Sequence, residues 1–566
     1  MADRKVTDST SHARVRFWHY RFQSFPLATN QRIGFPPSSV LGIEEGTIEA
    51  ELVSINVSKS IRQPSGTFDI TVLPTKNWRQ VLAPGDWLVI YLFNGISDEF
   101  QYKNENVIML GNIDRVARIK QKDEESDKTT VRYQISGRDF GKVFEDTDIF
   151  FDPYAGFLQS ATLISQYLVQ RGLAFAGTPT QLVNMFVDIF LSGDGGKVPD
   201  PILGKSSTSP LNQWLIPDEL ALFFAGGGNY FHDILQKQIT EDLPGYKPRA
   251  MMTPGSNGGL WSHLKRNSNE LVNHLYCDMQ RDDPKGPAKP TIFLKPVPAS
   301  PFYSPLQAPL LTSDYKSLSD KAAEEGVIEI TSDDIMYENI GRDGNYRFNM
   351  IWVEPKLSDK SAAVETVSNL KNLPGVRLPM VNDESMQRYG LKRLAGQLDF
   401  IYQEASAETT LAIEQYKSFL AYIYDINAYH HCYETGTFET GGKVNAQLGR
   451  VLRVVRPQDA GGGGTVSSKF DFASALAAPP PKLYFIDGYK HTWKFPNIWR
   501  TEFSVTMGQW DSSNAPFIDL NEADNGAFDT EFDSTSLVKT NVPRPNNTVA
   551  DAGGALGLID SIKNLV

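Results

Sequence analysis

The chain has 566 residues, 41% of them apolar and 22% charged, and a formal net charge of −12 at pH 7. That length exceeds what one hydrophobic core serves and predicts roughly three or four folded units. Lys and Arg are scattered and outnumbered by acids rather than clustered into a phosphate-neutralising basic stripe, which disfavours sequence-specific DNA binding; no apolar run is long enough to span a bilayer. Residues 1–44 are set apart as an N-terminal extension. Their start, MADRKVTDSTSHARVRF, lacks the apolar region of a signal peptide, so export by that route is not expected. Cys277 and Cys432 are the only cysteines, too few to staple a chain this long, and point to a reducing site of synthesis.

Residues 45–152 read as a first β domain. Val53, Ile55 and Val57 alternate with Ser54, Asn56 and Ser58, and beyond a turn at Pro64-Ser65-Gly66 the same period recurs in Phe68, Ile70 and Val72. Pro84-Gly85-Asp86 marks another turn, and Trp87–Phe93 is apolar on both faces, as in a central strand. Met109–Ile119 and Val131–Ser136 read as a hairpin with a charged tip, Lys120–Lys128. Gly85, Gly111 and Gly137 are assigned to turns and strand ends. Short strands with regular turn signals predict a small barrel or sandwich.

Residues 153–250 change to helix-like stretches around Leu158, Ile164, Leu168, Leu182, Phe186 and Phe190, and predict a helical insertion. Residues 251–326 predict a small α/β middle domain, with a helix over Leu260–Leu271 and strands over Leu275–Met279 and Thr291–Leu294. Residues 327–510 predict a second β domain. It contains a long helix over 384–426, from the three- and four-residue steps of Leu391, Leu394, Leu398, Ile401, Ala405, Ala412, Tyr416, Phe419 and Ile423. Strands follow at Leu448–Val455, Lys482–Asp487 and Thr501–Met507. Residues 511–566, rich in Asp, Asn, Ser and Gly, predict an arm or a disordered tail.

Several segments, taken in order, resemble the baseplate hub proteins of contractile phage tails, a family that includes late-control tail proteins and secretion-system spike hubs. They are SINVSKSIRQPSGTFDITV (Ser54–Val72), LAPGDWLVIYL, LGNIDRVARI (Leu110–Ile119), YQISGRDFGKVFEDTDI (Tyr133–Ile149), GGLWSHLKRNSNELVNHLYCDM (Gly258–Met279), PTIFLKPVPASPF (Pro290–Phe302), MQRYGLKRL (Met386–Leu394) and YFIDGYKHTWKFPNIWRTEFSVTMGQ (Tyr484–Gln509). The resemblance covers roughly residues 50–510. It implies an α+β, mostly β fold with two related tube-type β-barrel or sandwich domains, assembled as a homotrimer that joins a sixfold tail tube to a threefold spike. Implied partners are the tail tube or tube-initiator protein, the central spike protein, other baseplate proteins and the tape measure. DNA would pass through without sequence-specific binding, and the site of action would be the virion tail baseplate, with synthesis in the host cytoplasm. An echo between GNIDRV…VRYQISGRD and FIDGYKHTW…RTEFSVTMGQ is consistent with a duplicated unit.

Candidate chemistry is thin. His430-His431-Cys432-Tyr433-Glu434 is the densest set of metal-ligating residue types, but HExxH and paired CxxC are absent, and a strand is the preferred reading. Gly226–Gly228 and Gly461–Gly464 lack the Lys-Ser or Lys-Thr of a phosphate loop, and Asp194-Gly195-Gly196 and Asp343-Gly344-Asn345 lack the rest of a calcium loop. Trp18, Trp78, Trp87, Trp261, Trp493 and Trp499 suit a core or interface better than a sugar cleft. Arg138 and Asp139 are candidates for bracing a domain junction, and Lys120–Lys128 for contacting the tube or a neighbour. No catalytic, cofactor-binding or metal residue is assigned, and no cofactor is expected. The reading is a structural hub; a tail-tip peptidoglycan hydrolase and a glycan- or receptor-binding tail protein are the alternatives.

Overall fold

The two-residue alternation becomes strands in both β regions of the computed structural model, which describes residues 11–22, 40–95, 104–122, 129–149, 179–191, 214, 216–224, 231–240, 258–281, 287–298, 317–342, 348–355, 380–398, 422–424, 426–427, 430, 433–455 and 481–510. In chain order the strands are β1 Ser11–Phe22, β2 Val40–Ile48, β3 Leu52–Ser60, β4 Thr67–Val72, β5 Trp87–Asn94, β6 Val107–Lys122, β7 Thr129–Asp139, β8 Asp148–Ile149, β9 Gln236–Ile239, β10 Gly258–Gly259, β11 Asn273–Gln280 and β12 Lys289–Pro296. They continue as β13 Val327–Thr331, β14 Ile335–Arg342, β15 Met350–Pro355, β16 Met380–Val381, β17 Arg393–Leu398, β18 Glu434–Gly441, β19 Val451–Val455, β20 Lys482–Lys494 and β21 Ile498–Trp510. Apart from the 13-residue helix Pro179–Leu191 the described helices are short, and the fold is mostly β within an α+β class.

One 13-stranded sheet dominates, in the order β14-β18-β21-β20-β3-β4-β7-β6-β5-β1-β2, with β19 and β13 branching from β20. The ladder is open: among the described residues no pairing joins β14 to β2, so the sheet does not close into a barrel. The middle region forms its own sheet, β11-β12-β9, whose strand β9 comes from the helical insertion and runs parallel to β12.

Two stretches of the large sheet repeat one pairing scheme. The first runs β3-β4-β7-β6-β5 and the second β14-β18-β21-β20-β19, each built round a central hairpin, β6–β7 or β20–β21. The irregularities match as well. The register slips at Val53 in β3 and at Met336 in β14, one residue after the first pair each time. It slips at Asp114 in β6 and at Asp487 in β20. Bulges re-aim strands and are built-in features rather than accidents. Gly85 (φ 94°) donates its N–H to the Ile113 carbonyl at 2.8 Å, and Ile113 donates back to Asp86 at 2.9 Å; Gly449 (φ 71°) and Arg450 make the same exchange with Ile486, both at 3.0 Å. A positive φ at each turn favours glycine. The correspondence is over-determined, because the route through β3 and β4 and the route through β6 both match Tyr133 to Thr501.

The structure departs from the sequence reading at several points. Residues 1–44 are not merely an extension: Ser11–Phe22 is a full strand between β5 and β2, with Ala13, Val15 and Phe17 buried on one face and Arg14 and Arg16 half-buried on the other, paired with Glu49 and Glu45. The helix expected over 384–426 is not continuous. Its first part spans Asp383–Tyr389, with the Asn382 side chain accepting from the Ser385 N–H, and stops at Gly390 (φ 77°), while residues 422–424 and 426–427 at the far end are again helical. Arg393–Leu398 then pairs in parallel with β15, while residues 399–421 lie outside the described residues, as do 511–566. Gly111 is inside β6 rather than at a turn, and there, with Gly137, it makes room for the Phe68 ring.

Three apolar clusters fill the fold. β5 separates two of them: Leu88, Ile90 and Leu92 face the core of the first unit, whereas Trp87, Val89 and Tyr91 face helices and the middle sheet. This explains a strand apolar on both sides. The third cluster joins β18–β21 to Tyr276 and Phe293 of the middle sheet. Trp493 and Trp499, from the tip of the β20–β21 hairpin, insert into the core of the first unit.

Candidate functional site

The two repeated units meet along one strand. The first half of β20 pairs with β19 of its own unit, and its second half pairs with β3 of the other, from Gly488↔Ser60 to Lys494↔Ser54. The seam is fastened beyond both ends, by Ile61 N–H to the Asp487 carbonyl at 2.9 Å and by Phe495 N–H to the Val53 carbonyl at 3.0 Å. A bulge at Asp487 separates the halves and lets one strand serve both units.

Under this seam lies a buried charge cluster. Lys59 falls on the inward face of β3 with Ile55 and Val57, so the strand period carries its ammonium into the interior. Its Nζ lies 3.0 Å from Asp139 Oδ2 at the end of β7 and 2.9 Å from Asp278 Oδ1 in β11, and all three side chains are at most 1% exposed. The Asp278 contact is a hydrogen bond, whereas the Asp139 contact is an ion pair without hydrogen-bond alignment. Asp278 also accepts from the Tyr489 hydroxyl at 2.8 Å, from its neighbour Met279 N–H at 2.8 Å and from Leu448 N–H at 2.7 Å. Asp139 accepts from Gly141 N–H at 2.8 Å. Lys59 thus ties the first β unit to the middle sheet, and Asp278 ties the middle sheet to the second unit through Tyr489 and Leu448.

Burial opposes the Lys59 charge, but Asp278 and Asp139 outweigh it and hold the ammonium protonated well above the usual lysine range. Burial pushes the Asp139 carboxyl up, against the pull of Lys59. Burial, reinforced by Asp278, also raises the Tyr489 hydroxyl well above its usual range. Lys59 and Tyr489, both pushed upward, stay protonated near neutral pH, which suits a fixed brace.

A second set of bonds flanks the first. Arg281 donates to the carbonyls of Glu105, at 2.8 Å, and Val107. Arg450, the counterpart of Asp86, donates to the Arg281 carbonyl at 2.8 Å and to Gln447 at 3.1 Å, and Gln447 donates to the Met279 carbonyl at 2.8 Å. Charged donors aimed at strand-end carbonyls satisfy backbone groups that the junction buries.

The residues singled out in the sequence divide clearly. Asp139 is at the junction. Arg138 points the other way, to a partly exposed cluster with Asp114 at 3.0 Å, Glu145 at 2.6 Å and Asp146 at 3.2 Å. Lys59 and Asp278 were not anticipated, because 219 positions separate them in the chain; the only local signal was a lysine in phase with Ile55 and Val57. Trp18, Trp78, Trp87, Trp493 and Trp499 are core residues. Trp261 lines a cleft of about 430 Å³ with Arg62, Lys265, Asn273, His274 and Asp487. Among the described residues no three His, Cys, Asp or Glu side chains group as a metal site, and no helix is long and apolar enough to cross a membrane. Within His430–Glu434, Glu434 opens strand β18, and His431 and Cys432 lie outside the described residues. So do Gly226–Gly228, Gly461–Gly464, Asp194–Gly196, Asp343–Asn345 and residues 123–128 of the charged tip.

No protein-family model matches the chain, and no curated protein matches it. Among solved structures it is similar to a tail protein from Neisseria meningitidis MC58, at 11% identity over 88% of this chain and 96% of that one, with a TM-score of 0.40. It is also similar to the 43 kDa tail protein of prophage MuSo2 from Shewanella oneidensis, at 11% identity over 87% and 98% of the two chains, TM-score 0.38. A third is an E. coli component of the type VI secretion system, described as structurally similar to T4 bacteriophage tail proteins, at 7% identity over 82% and 76%, TM-score 0.31.

Proposed function

We propose that the chain is a structural subunit of a contractile phage tail, a baseplate hub that assembles as a homotrimer and joins the sixfold tail tube to the threefold central spike. The observation that carries this reading is the repeat: one chain holds two units of the same pairing scheme, hydrogen-bonded side by side in one sheet. Three such chains about a threefold axis offer six like units to a sixfold neighbour. The segments that resemble the hub family build this arrangement. Ser54–Val72 supplies β3 and β4, Leu110–Ile119 lies in β6, and Tyr484–Gln509 supplies most of β20 and β21. The net acidity of the chain suits a wall past which DNA slides without sticking.

On this reading the protein works by geometry and catalyses nothing. Electron microscopy of assembled particles tests it: three copies between tube and spike are expected, and six copies, or a position away from the tail axis, would overturn it. Incubation with purified peptidoglycan tests the absence of catalysis, with no soluble fragments expected.

A further inference from the structure

We infer that the outer half of β6 in one copy pairs antiparallel with β14 of a second copy, reproducing between chains the seam that β20 and β3 make within one. The repeat assigns the partners. β20 corresponds to β6 and β3 to β14, so the β20·β3 seam predicts a β6·β14 seam, which the single chain does not make among the described residues. Both edges are available: among the described residues β14 pairs with β18 alone, and the Arg115–Lys122 half of β6 pairs with β7 alone. Such strand edges are templates for pairing with another chain.

Matching bulge to bulge fixes the register. Asp487 corresponds to Asp114, and Val53 to Met336. Trp493↔Ile55 then becomes Lys120↔Glu338, His491↔Val57 becomes Arg118↔Ile340, and Thr492↔Asn56 becomes Ile119↔Asn339. Chemistry agrees with this register. Lys120 and Glu338 meet as an opposite-charge cross-strand pair. Ile119 and Tyr337, exposed at 43% and 56%, become diagonal neighbours on one face. The β6 half also carries Arg115, Arg118 and Lys122, while Asp333 and Asp334 lead into β14.

The contact is head-to-tail, so it closes into a ring or grows into an open polymer. Closure at three copies rests on the proposed hub function; the contact itself rests on the repeat. The test uses the full-length chain with Cys432→Ser, since Cys277 is buried. Lys120→Cys and Glu338→Cys variants, mixed and oxidised, are expected to give a covalent dimer, and the double variant a closed three-chain species. A control pair, Lys120→Cys with Glu44→Cys on the opposite edge strand β2, is expected to give none.

A charge test runs alongside. Lys120→Glu is expected to weaken self-association about fivefold, and adding Glu338→Lys to restore it, which a folding defect would not allow. Three-chain oligomers that never form the 120–338 disulfide overturn the junction and leave the hub reading standing. Cross-linked chains that grow without closing at three keep the junction and overturn the trimer. A chain that remains a single copy at all concentrations overturns both.

Discussion

β3 and β14 hold the same place in two copies of one pairing scheme, yet one is a core strand and the other is a sheet edge. β3 buries Leu52, Ile55, Val57 and Lys59 between β4 and β20, whereas β14 carries Met336, Tyr337, Glu338 and Asn339 in the open. Backbone pairing and bulges are shared, and side-chain composition follows whether a neighbour is present. The connections differ in the same spirit. β3 turns into β4 through residues 61–66, while β14 reaches β18 only after the long segment 343–433 that contains β15–β17. Insertions enter at loops and leave the ladder intact.

The most damaging test of this contrast is at the junction, which one unit alone cannot make. Asp278→Ala leaves Lys59 with Asp139 only and removes the acceptor of Tyr489. A loss of ~3–5 kcal/mol is expected from urea unfolding, as for breaking a buried pair; a loss under ~1 kcal/mol would mean the brace is not closed in solution. Next comes the matched pair Ile55→Ala and Glu338→Ala. The first empties core volume and should cost ~2–5 kcal/mol. The second, at the corresponding position of β14, should stay within ~0.5 kcal/mol in dilute single chains. Equal costs would mean that β14 is covered.

The smallest effect compares the matched bulge residues by pH. Asp487, pushed up by burial against Arg62, binds its proton more tightly when folded. It therefore loses stability as pH rises from the unfolded value of ~3.9 through the folded one, and Asp487→Asn should raise the melting temperature at neutral pH. Burial raises the Asp114 carboxyl too, but Arg138 and Lys142 outweigh it and hold Asp114 below its usual range. Its contribution is present above the unfolded value of ~3.9 and is lost as pH falls through the folded one. Asp114→Asn should thus lower the melting temperature at neutral pH, by less than ~1 kcal/mol equivalent because the site is solvent-screened, and do nothing near pH 2. Shifts of the same sign would break the contrast.

Strand periodicity made most of the sheet legible in the sequence, including the two-faced burial of β5. β1 carried the same signal, since Ala13, Val15 and Phe17 alternate with arginines, and reading that segment for export obscured it. The long helix is broken at 390–398, because three- and four-residue spacing cannot register the positive φ at Gly390 or the parallel pairing of Arg393–Leu398 with β15. The brace was half visible: Asp139 stood out, but its partners are set by tertiary distance, which composition does not carry.

β20 belongs to both units without a linker. A pull along its length loads every bond of the seam to β3 together, because these bonds lie across the strand direction. Bonds opened one by one from an end would yield at far lower force. The joint therefore resists sliding best along the strand direction itself.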